Sequence, residues 1–88
     1  MAPAPVIRLF LGQLTPAAMR AAADDPNPAT RKKQVCKADF YGGELSLIKG
    51  SKDEAIRLFR LALGDCSPNL VEFTAAQDEL KALAAAPR

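Results

Sequence analysis

Small side chains recur at helical spacing on both sides of a short turn, and this pattern constrains the fold more than any other feature. Gly43 precedes the turn at Gly50 and Ser51, and Ala55 follows it. Two antiparallel helices approach closely only where one side chain is a hydrogen atom or a methyl group, because protein interiors are close-packed. Gly43 and Ala55 therefore predict the closest approach of a helical hairpin, and Phe59 is expected to fill the space beside it.

Helix start and stop signals delimit four or five predicted helices, and no segment shows the two-residue alternation of a half-buried strand. The fold class is therefore expected to be all-α. We expect one helical domain over residues 1–88, with short helices over 1–27, a hairpin over 28–69 and a packing helix over 70–88. The predicted helices are Pro5–Leu11, Ala17–Ala23, Pro28–Lys49, Lys52–Leu63 and a last helix that ends near Ala84.

Capping residues mark the boundaries of these helices. Thr15–Pro16, Asn27–Pro28 and Ser67–Pro68 each join an N-cap residue to a proline at the first helical position. Ser51 has Glu54 three residues after it, which predicts a capping box. The glycines expected to end helices are Gly12, Gly50 and Gly64.

Four of the five predicted helices carry an apolar face, and the long one carries two. We expect the last helix to fold back onto the hairpin, and the first to form a weak homodimer or to contact a parent domain. On the long helix the faces are Cys36, Phe40, Gly43 and Leu47 on one side and Tyr41, Leu45 and Ile48 on the other. The faces of the other helices are Ile7, Phe10, Leu11 and Leu14; Ala55, Leu58, Phe59 and Ala62; and Phe73, Ala76, Leu80 and Leu83.

The composition excludes most hydrolase mechanisms. The 88 residues include no histidine, which removes the commonest general base and the commonest zinc ligand. Two cysteines alone cannot form a four-ligand zinc site, and no glycine-rich phosphate loop is present, so we expect no cofactor and no enzyme activity. The net charge of +2 does not by itself indicate nucleic acid or a membrane. Met1–Leu14 has no basic start and is interrupted by Arg8, so it predicts neither a signal peptide nor a membrane span.

The two cysteines are placed symmetrically about the turn. Cys36 and Cys66 each lie 15 residues from Ser51, so an antiparallel hairpin brings them together at its open end. A disulfide there would stabilise the fold by roughly 3.6 kcal/mol on the chain-entropy account. The alternative is a pair of reduced thiols that pack as small apolar groups. We expect an exported or periplasmic protein if the bond forms and a cytoplasmic one otherwise.

The spacing of these residues resembles the tetratricopeptide repeat, a helical hairpin of about 34 residues. Residues 36–69 carry the resemblance: Ala55 and Phe59 match the motif A-x3-F, and Gly43 stands twelve residues before Ala55. The chain departs from the family at its usual Trp, Leu and Tyr positions, and a second copy of the repeat is not recognisable. The residues at the three departing positions are Asp39, Gly42 and Ser46. Any tight αα-hairpin could show the same small residues without this ancestry.

The resemblance implies a fragment of an α-α superhelix that acts as a protein-interaction scaffold and binds a protein or peptide through its first helix. In the family this helix lines the concave face of the array. The residues expected on that face here are Lys37, Phe40, Glu44, Leu47 and Ile48, for which core packing is the alternative role. The Lys/Asn clamp that some family members use for a terminal carboxylate is not matched.

A basic cluster supports an alternative function. Arg31, Lys32 and Lys33 are consecutive, and Lys37 follows one turn later. They could bind nucleic acid or phosphate, or they could form a solvated helix face. No aromatic residues are interleaved for base stacking, so the sequence does not favour nucleic acid. A third hypothesis, an enzyme with Cys36 or Cys66 as nucleophile, lacks a histidine partner.

Overall fold

Five α-helices and no strands make up the described part of a computed structural model, which covers residues 5–23 and 25–85. The all-α prediction is confirmed. The remaining residues, 1–4, 24 and 86–88, lie outside that part. The helices are α1 (Pro5–Phe10), α2 (Pro16–Ala21), α3 (Pro28–Ile48), α4 (Lys52–Asp65) and α5 (Val71–Ala85).

Helices α3 and α4 form the antiparallel hairpin that the small residues predict. A Cβ atom built on Gly43 would lie 2.6 Å from Cε1 of Phe59, so the Phe59 ring occupies the space that a side chain at Gly43 would need. Ala55 and Phe59 are completely buried. The turn is made by Gly50, whose φ of 79° favours glycine. The Ser51 N–H donates to the Ser46 carbonyl at 2.8 Å, as in a Schellman motif.

The larger core lies between α3, α4 and α5. Its centre is Phe59, whose ring centroid lies 5.8 Å from that of Phe40. Leu70 and Phe73 pack against this cluster from the α5 side. Helix α5 therefore folds back onto the hairpin. The buried members of the cluster are Cys36, Phe40, Ala55, Phe59, Ala62, Cys66 and Ala76.

A second, smaller core joins α1 and α2 to α3. Its buried members are Leu9, Met19, Ala38 and Leu45. Helices α2 and α3 meet closely at Gly42, where a Cβ would lie 2.9 Å from Cβ of Pro16. Tyr41 packs against both cores, so it lies between the α1 and α5 sides of the long helix. Leu9 was not predicted as a core residue, and Gly42 was noted only as a departure from the repeat pattern.

Two predicted caps are confirmed. The Thr15 hydroxyl accepts a hydrogen bond from the Ala18 N–H at 3.0 Å, and the Asn27 side chain accepts from the N–H groups of Ala29 and Thr30. The helices that these residues start also carry their predicted prolines at the first turn. Gly12 and Gly50 both have positive φ and follow α1 and α3, as expected of stops.

Three predicted boundary features are wrong. Ser51 makes no side-chain cap hydrogen bond, and the reciprocal bond is also missing, because the Ser51 N–H donates to the Ser46 carbonyl and the Glu54 side chain pairs with Arg57. Gly64 does not end α4, which continues to Asp65 and stops where Cys66 turns to an extended conformation. Pro68 does not open the last helix. A turn in which the Leu70 N–H donates to the Ser67 carbonyl comes first, and α5 begins at Val71.

Candidate protein-binding surface

Cys36 and Cys66 meet at the open end of the hairpin, as their symmetric placement predicts. Their sulfur atoms lie 2.03 Å apart, at disulfide distance, and their Cα atoms are 4.7 Å apart. Both side chains are buried in the larger core. The pair therefore joins α3 to the end of α4, opposite the Gly50 turn. It thereby fixes the N-terminal half of α3 against the end of α4.

One side of α3 stays only partly covered by its neighbours. Lys37, Tyr41, Glu44 and Ile48 follow one another at spacings of four, three and four residues, which places them on one helix face. We call these four residues the α3 stripe. Lys37 is exposed, Tyr41 and Glu44 are half-buried, and Ile48 is 73% exposed. An isoleucine this exposed at the end of a long helix has no packing role within the described residues.

The five residues expected on the binding face separate into two groups. Lys37, Glu44 and Ile48 belong to the α3 stripe. Phe40 is buried, with its ring 5.0 Å from the ring of Tyr41 in an edge-to-face arrangement. Leu47 is half-buried and packs against the larger core. In the free chain, Phe40 and Leu47 are thus core residues that support the stripe from beneath.

Helix α5 brings acidic groups to the middle of the α3 stripe. The Tyr41 hydroxyl donates to Oε2 of Glu72 at 3.3 Å. Burial, followed by the charge and hydrogen bond of Glu72, raises the pKa of Tyr41. Burial and the neighbouring carboxyl of Glu79 raise the pKa of Glu44 to about 7. The sequence missed Tyr41, Glu72 and Glu79 as surface partners because nothing in it fixes how α5 crosses α3.

A second carboxyl pair lies on the other side of α3. Asp39 is completely buried, and its Oδ1 accepts from Nε of Arg20 at 3.1 Å. The same guanidinium donates to Asp65 at 3.0 Å. Burial and the neighbouring Asp65 raise the pKa of Asp39 to about 7, against the opposing charge of Arg20. The hydrogen bond from protonated Asp39 is the main cause of the lowered pKa of Asp65. The two shifts have opposite directions, so the pair takes up its first proton at Asp39 while Asp65 stays charged beside Arg20.

Protonation of Asp39 would also provide a hydrogen bond for a buried oxygen that otherwise has none. Oδ2 of Asp39 is buried and has no donor among the described residues. A buried polar atom without a partner is costly, whereas an O–H at this position can donate to Asp65. Through their salt bridges with Arg20, the two carboxyls connect α3 and α4 to α2. Sequence analysis placed Asp39 only as a departure from the repeat pattern and did not predict a carboxyl pair.

The basic cluster is exposed. Arg31, Lys32 and Lys33 all lie on the first turns of α3 with exposed side chains. Arg31 and Lys32 line a cleft that Gly64 and Asp65 close from the α4 side. The Asp65 carboxylate brings negative charge to this cleft, which opposes the binding of an anion beside it.

Within residues 5–23 and 25–85, no helix has the length and apolar character needed to cross a membrane. The same residues contain no group of three or more His, Cys, Asp or Glu side chains that could hold a metal ion. Models of protein families, curated proteins and solved structures were compared with the chain, and none of them matches it.

Proposed function

We propose that the protein is a protein-interaction module that binds a segment of a partner chain along the α3 stripe. The observation that carries this proposal is the exposed side chain of Ile48, which lies at one end of the α3 stripe. Helix α3 contacts all four other helices. These contacts and the cysteine pair hold the backbone of α3 in place. Its exposed face is therefore pre-organised, which lowers the entropic cost of binding.

The charges of the stripe define the chemistry of the partner. Glu44, Glu72 and Glu79 concentrate carboxyl groups at its centre, and the apolar Ile48 follows at one end. A partner with basic side chains opposite the glutamates would stabilise the charged form of Glu44, and an apolar side chain would cover Ile48. We therefore propose a partner segment that combines basic and apolar residues.

The resemblance to the tetratricopeptide repeat supports the same function. It rests on Gly43, Ala55 and Phe59, which form the close approach of α3 and α4. In that family the first helix of a repeat contacts the partner, which here would be α3. We further propose that this chain is part of a larger exported protein that works in an oxidising compartment, since the cysteine pair lies at disulfide distance.

Selection from a displayed random-peptide library tests this function. We expect the selected peptides to be enriched in Lys or Arg together with apolar residues. By isothermal titration calorimetry, Ile48→Asp should weaken their binding about tenfold or more, because a charged group would replace an apolar contact. The matched control is Arg60→Gln, a change at an exposed α4 position. Equal affinity of wild type and Ile48→Asp for the selected peptides would refute the proposal.

Nucleic-acid or phosphate binding through Arg31, Lys32 and Lys33 remains the alternative proposal, because the three side chains are exposed together. It predicts an association constant that falls steeply with salt concentration. A triple change to glutamine would then abolish binding to a DNA or RNA oligonucleotide. The enzyme hypothesis has less support, since no described cysteine is free to act as a thiolate nucleophile.

A further inference from the structure

A cleft of about 310 Å³ lies where α1, α2 and the first half of α3 meet. It is separate from the larger core and is not used by the proposed peptide site, apart from Lys37 at its edge. Its inner side is apolar and is formed by Val6, Leu14 and Met19. These three side chains also belong to the smaller core, so the floor of the cleft is part of the packed fold.

The rim of the cleft is cationic. Arg8 from α1 and Lys37 from α3 line it together with Gln34. Neither Arg8 nor Lys37 takes part in a salt bridge among the described residues. Oε1 of Gln34 already accepts from the Asp25 N–H, which leaves its side-chain NH₂ group to donate. The cleft therefore presents cationic and amide donors beside an apolar interior.

We propose that this cleft binds a medium-chain monocarboxylate, with its alkyl chain against Val6, Leu14 and Met19 and its carboxylate between Arg8 and Lys37. The volume stands at the lower end of ligand sites, which are roughly 300–1,000 Å³ and mostly apolar with a few placed polar groups. A carboxylate accepts charge-assisted hydrogen bonds from both cations, and the NH₂ group of Gln34 supplies a further donor.

Other small ligands fit this arrangement less well. An uncharged alkane would bury the floor but would leave Arg8 and Lys37 without an anion. A cationic amphiphile would place like charges together. Inorganic phosphate would bind the two cations but would make no apolar contact with the floor. Only a molecule with one apolar part and one anionic head satisfies both halves of the cleft.

Titration followed by NMR tests the proposal with octanoate as the probe, at concentrations below micelle formation. We expect saturable amide shifts at α1, α2 and the Gln34–Lys37 turn, and an affinity about tenfold higher than for octanol or octylammonium. Shifts confined to the exposed side chains Ile7 and Leu11, or equal affinities for the three probes, would overturn the proposal.

Variants separate the two halves of the cleft. The double change Arg8→Gln and Lys37→Gln should weaken octanoate about tenfold and leave octanol unchanged. Ala22→Phe, at an exposed position that lines the cleft, should weaken both probes by filling it. Lys33→Gln is the matched charge control and should change neither. Unchanged octanoate affinity in the double variant would refute the assigned head-group site.

The proposal stands independently of the peptide site. Ile48→Asp leaves the cleft intact, since Ile48 lies about three helical turns from Lys37 on α3. Octanoate should therefore bind this variant and wild type equally. Loss of peptide binding with retained octanoate binding would show that the two surfaces act separately.

Discussion

Gly43 is the residue on which the closest contact of the hairpin depends. The Phe59 ring fills the volume that any side chain at Gly43 would need. A close-packed interior has no room to move this ring without shifting its neighbours. We therefore expect Gly43→Ala to lower the free energy of unfolding by roughly 1–3 kcal/mol, despite the better helix propensity of alanine. Urea denaturation measures the change.

Gly64 provides the control for this substitution. It also lies within a helix, but a Cβ built there would meet nothing within 4 Å. Gly64→Ala should leave stability unchanged or raise it by up to about 1 kcal/mol. If Gly43→Ala were as stable as Gly64→Ala, the placement of the closest approach at Gly43 and Phe59 would be wrong.

Asp39 gives the fold a pH dependence. Its folded-state pKa of about 7 lies above the ordinary value of 3.8, so the folded protein holds a proton that the unfolded chain releases. The resulting stability is fully present below about pH 4 and is lost as the pH rises through 7. The lowered pKa of Asp65 has the opposite sign: it stabilises the fold above about pH 4, and this stability is lost only as the pH falls below that value. Arg20 faces both carboxyls, and Arg57 and Lys32 add positive charge nearby.

We predict that the free energy of unfolding falls by on the order of 2 kcal/mol between pH 5 and pH 8. Asp39→Asn should remove much of this slope, because its neutral amide can still accept from Arg20 and donate to Asp65. Glu44, whose pKa is also about 7, accounts for the remainder, which Glu44→Gln should remove. A wild-type protein that is equally stable at both pH values would contradict the raised pKa of Asp39.

Among the helices, the two kinds of N-cap predict different mutational costs. The Thr15 side chain caps α2 by accepting from the Ala18 N–H, whereas Ser51 makes no such bond. Thr15→Ala should therefore lower stability by about 1 kcal/mol, and Ser51→Ala by much less. Thermal unfolding followed by circular dichroism compares them. Equal losses would show that Ser51 caps α4 after all.

Features that depend on residues within one helical turn could be predicted from the sequence, whereas features that depend on other contacts could not. Local signals predicted the helices, the buried faces of α4 and α5 and the caps at Thr15 and Asn27, because each depends on neighbours within one turn. On α1 they indicated Ile7, Phe10 and Leu11, which are exposed, whereas Leu9 is buried. The capping box is absent, since the Ser51 N–H donates to the Ser46 carbonyl and the Glu54 side chain pairs with Arg57. Helix α4 runs past Gly64 and ends at Asp65, next to Cys66, which meets Cys36 across the hairpin. These contacts depend on side-chain or tertiary geometry that the cap signal does not contain.

Contacts between helices set the limit for the candidate site. The resemblance to the tetratricopeptide repeat implied that Lys37, Glu44 and Ile48 share one face, and in the structure they are exposed or half-buried. The burial of Phe40 and the approach of Glu79 to Glu44 depend on how α5 crosses α3. No short-range pattern encodes this crossing, so the acidic centre of the α3 stripe could not be predicted.

At the scale of the whole molecule, the outer face of α1 remains open. Ile7, Phe10 and Leu11 are 54%, 41% and 61% exposed. We predict a weak homodimer through this face, seen by light scattering as a mass that rises with concentration. Phe10→Glu should abolish the rise, and Val71→Glu, at a position on α5 that is 79% exposed, should not. A wild-type protein that stays monomeric at every concentration would refute the dimer.

The central claim is that a disulfide between Cys36 and Cys66 links α3 to α4 opposite the Gly50 turn. Measurement of the intact mass under non-reducing conditions tests it most directly. Cys36 and Cys66 are 30 residues apart in the sequence, and their Cα atoms are close enough for a disulfide bond. We predict that the purified native protein lacks two hydrogen atoms, resists alkylation, and loses roughly 3.6 kcal/mol of stability on reduction. The double variant Cys36→Ala and Cys66→Ala should be insensitive to the reductant. Two alkylated thiols in the unreduced native protein would contradict this claim.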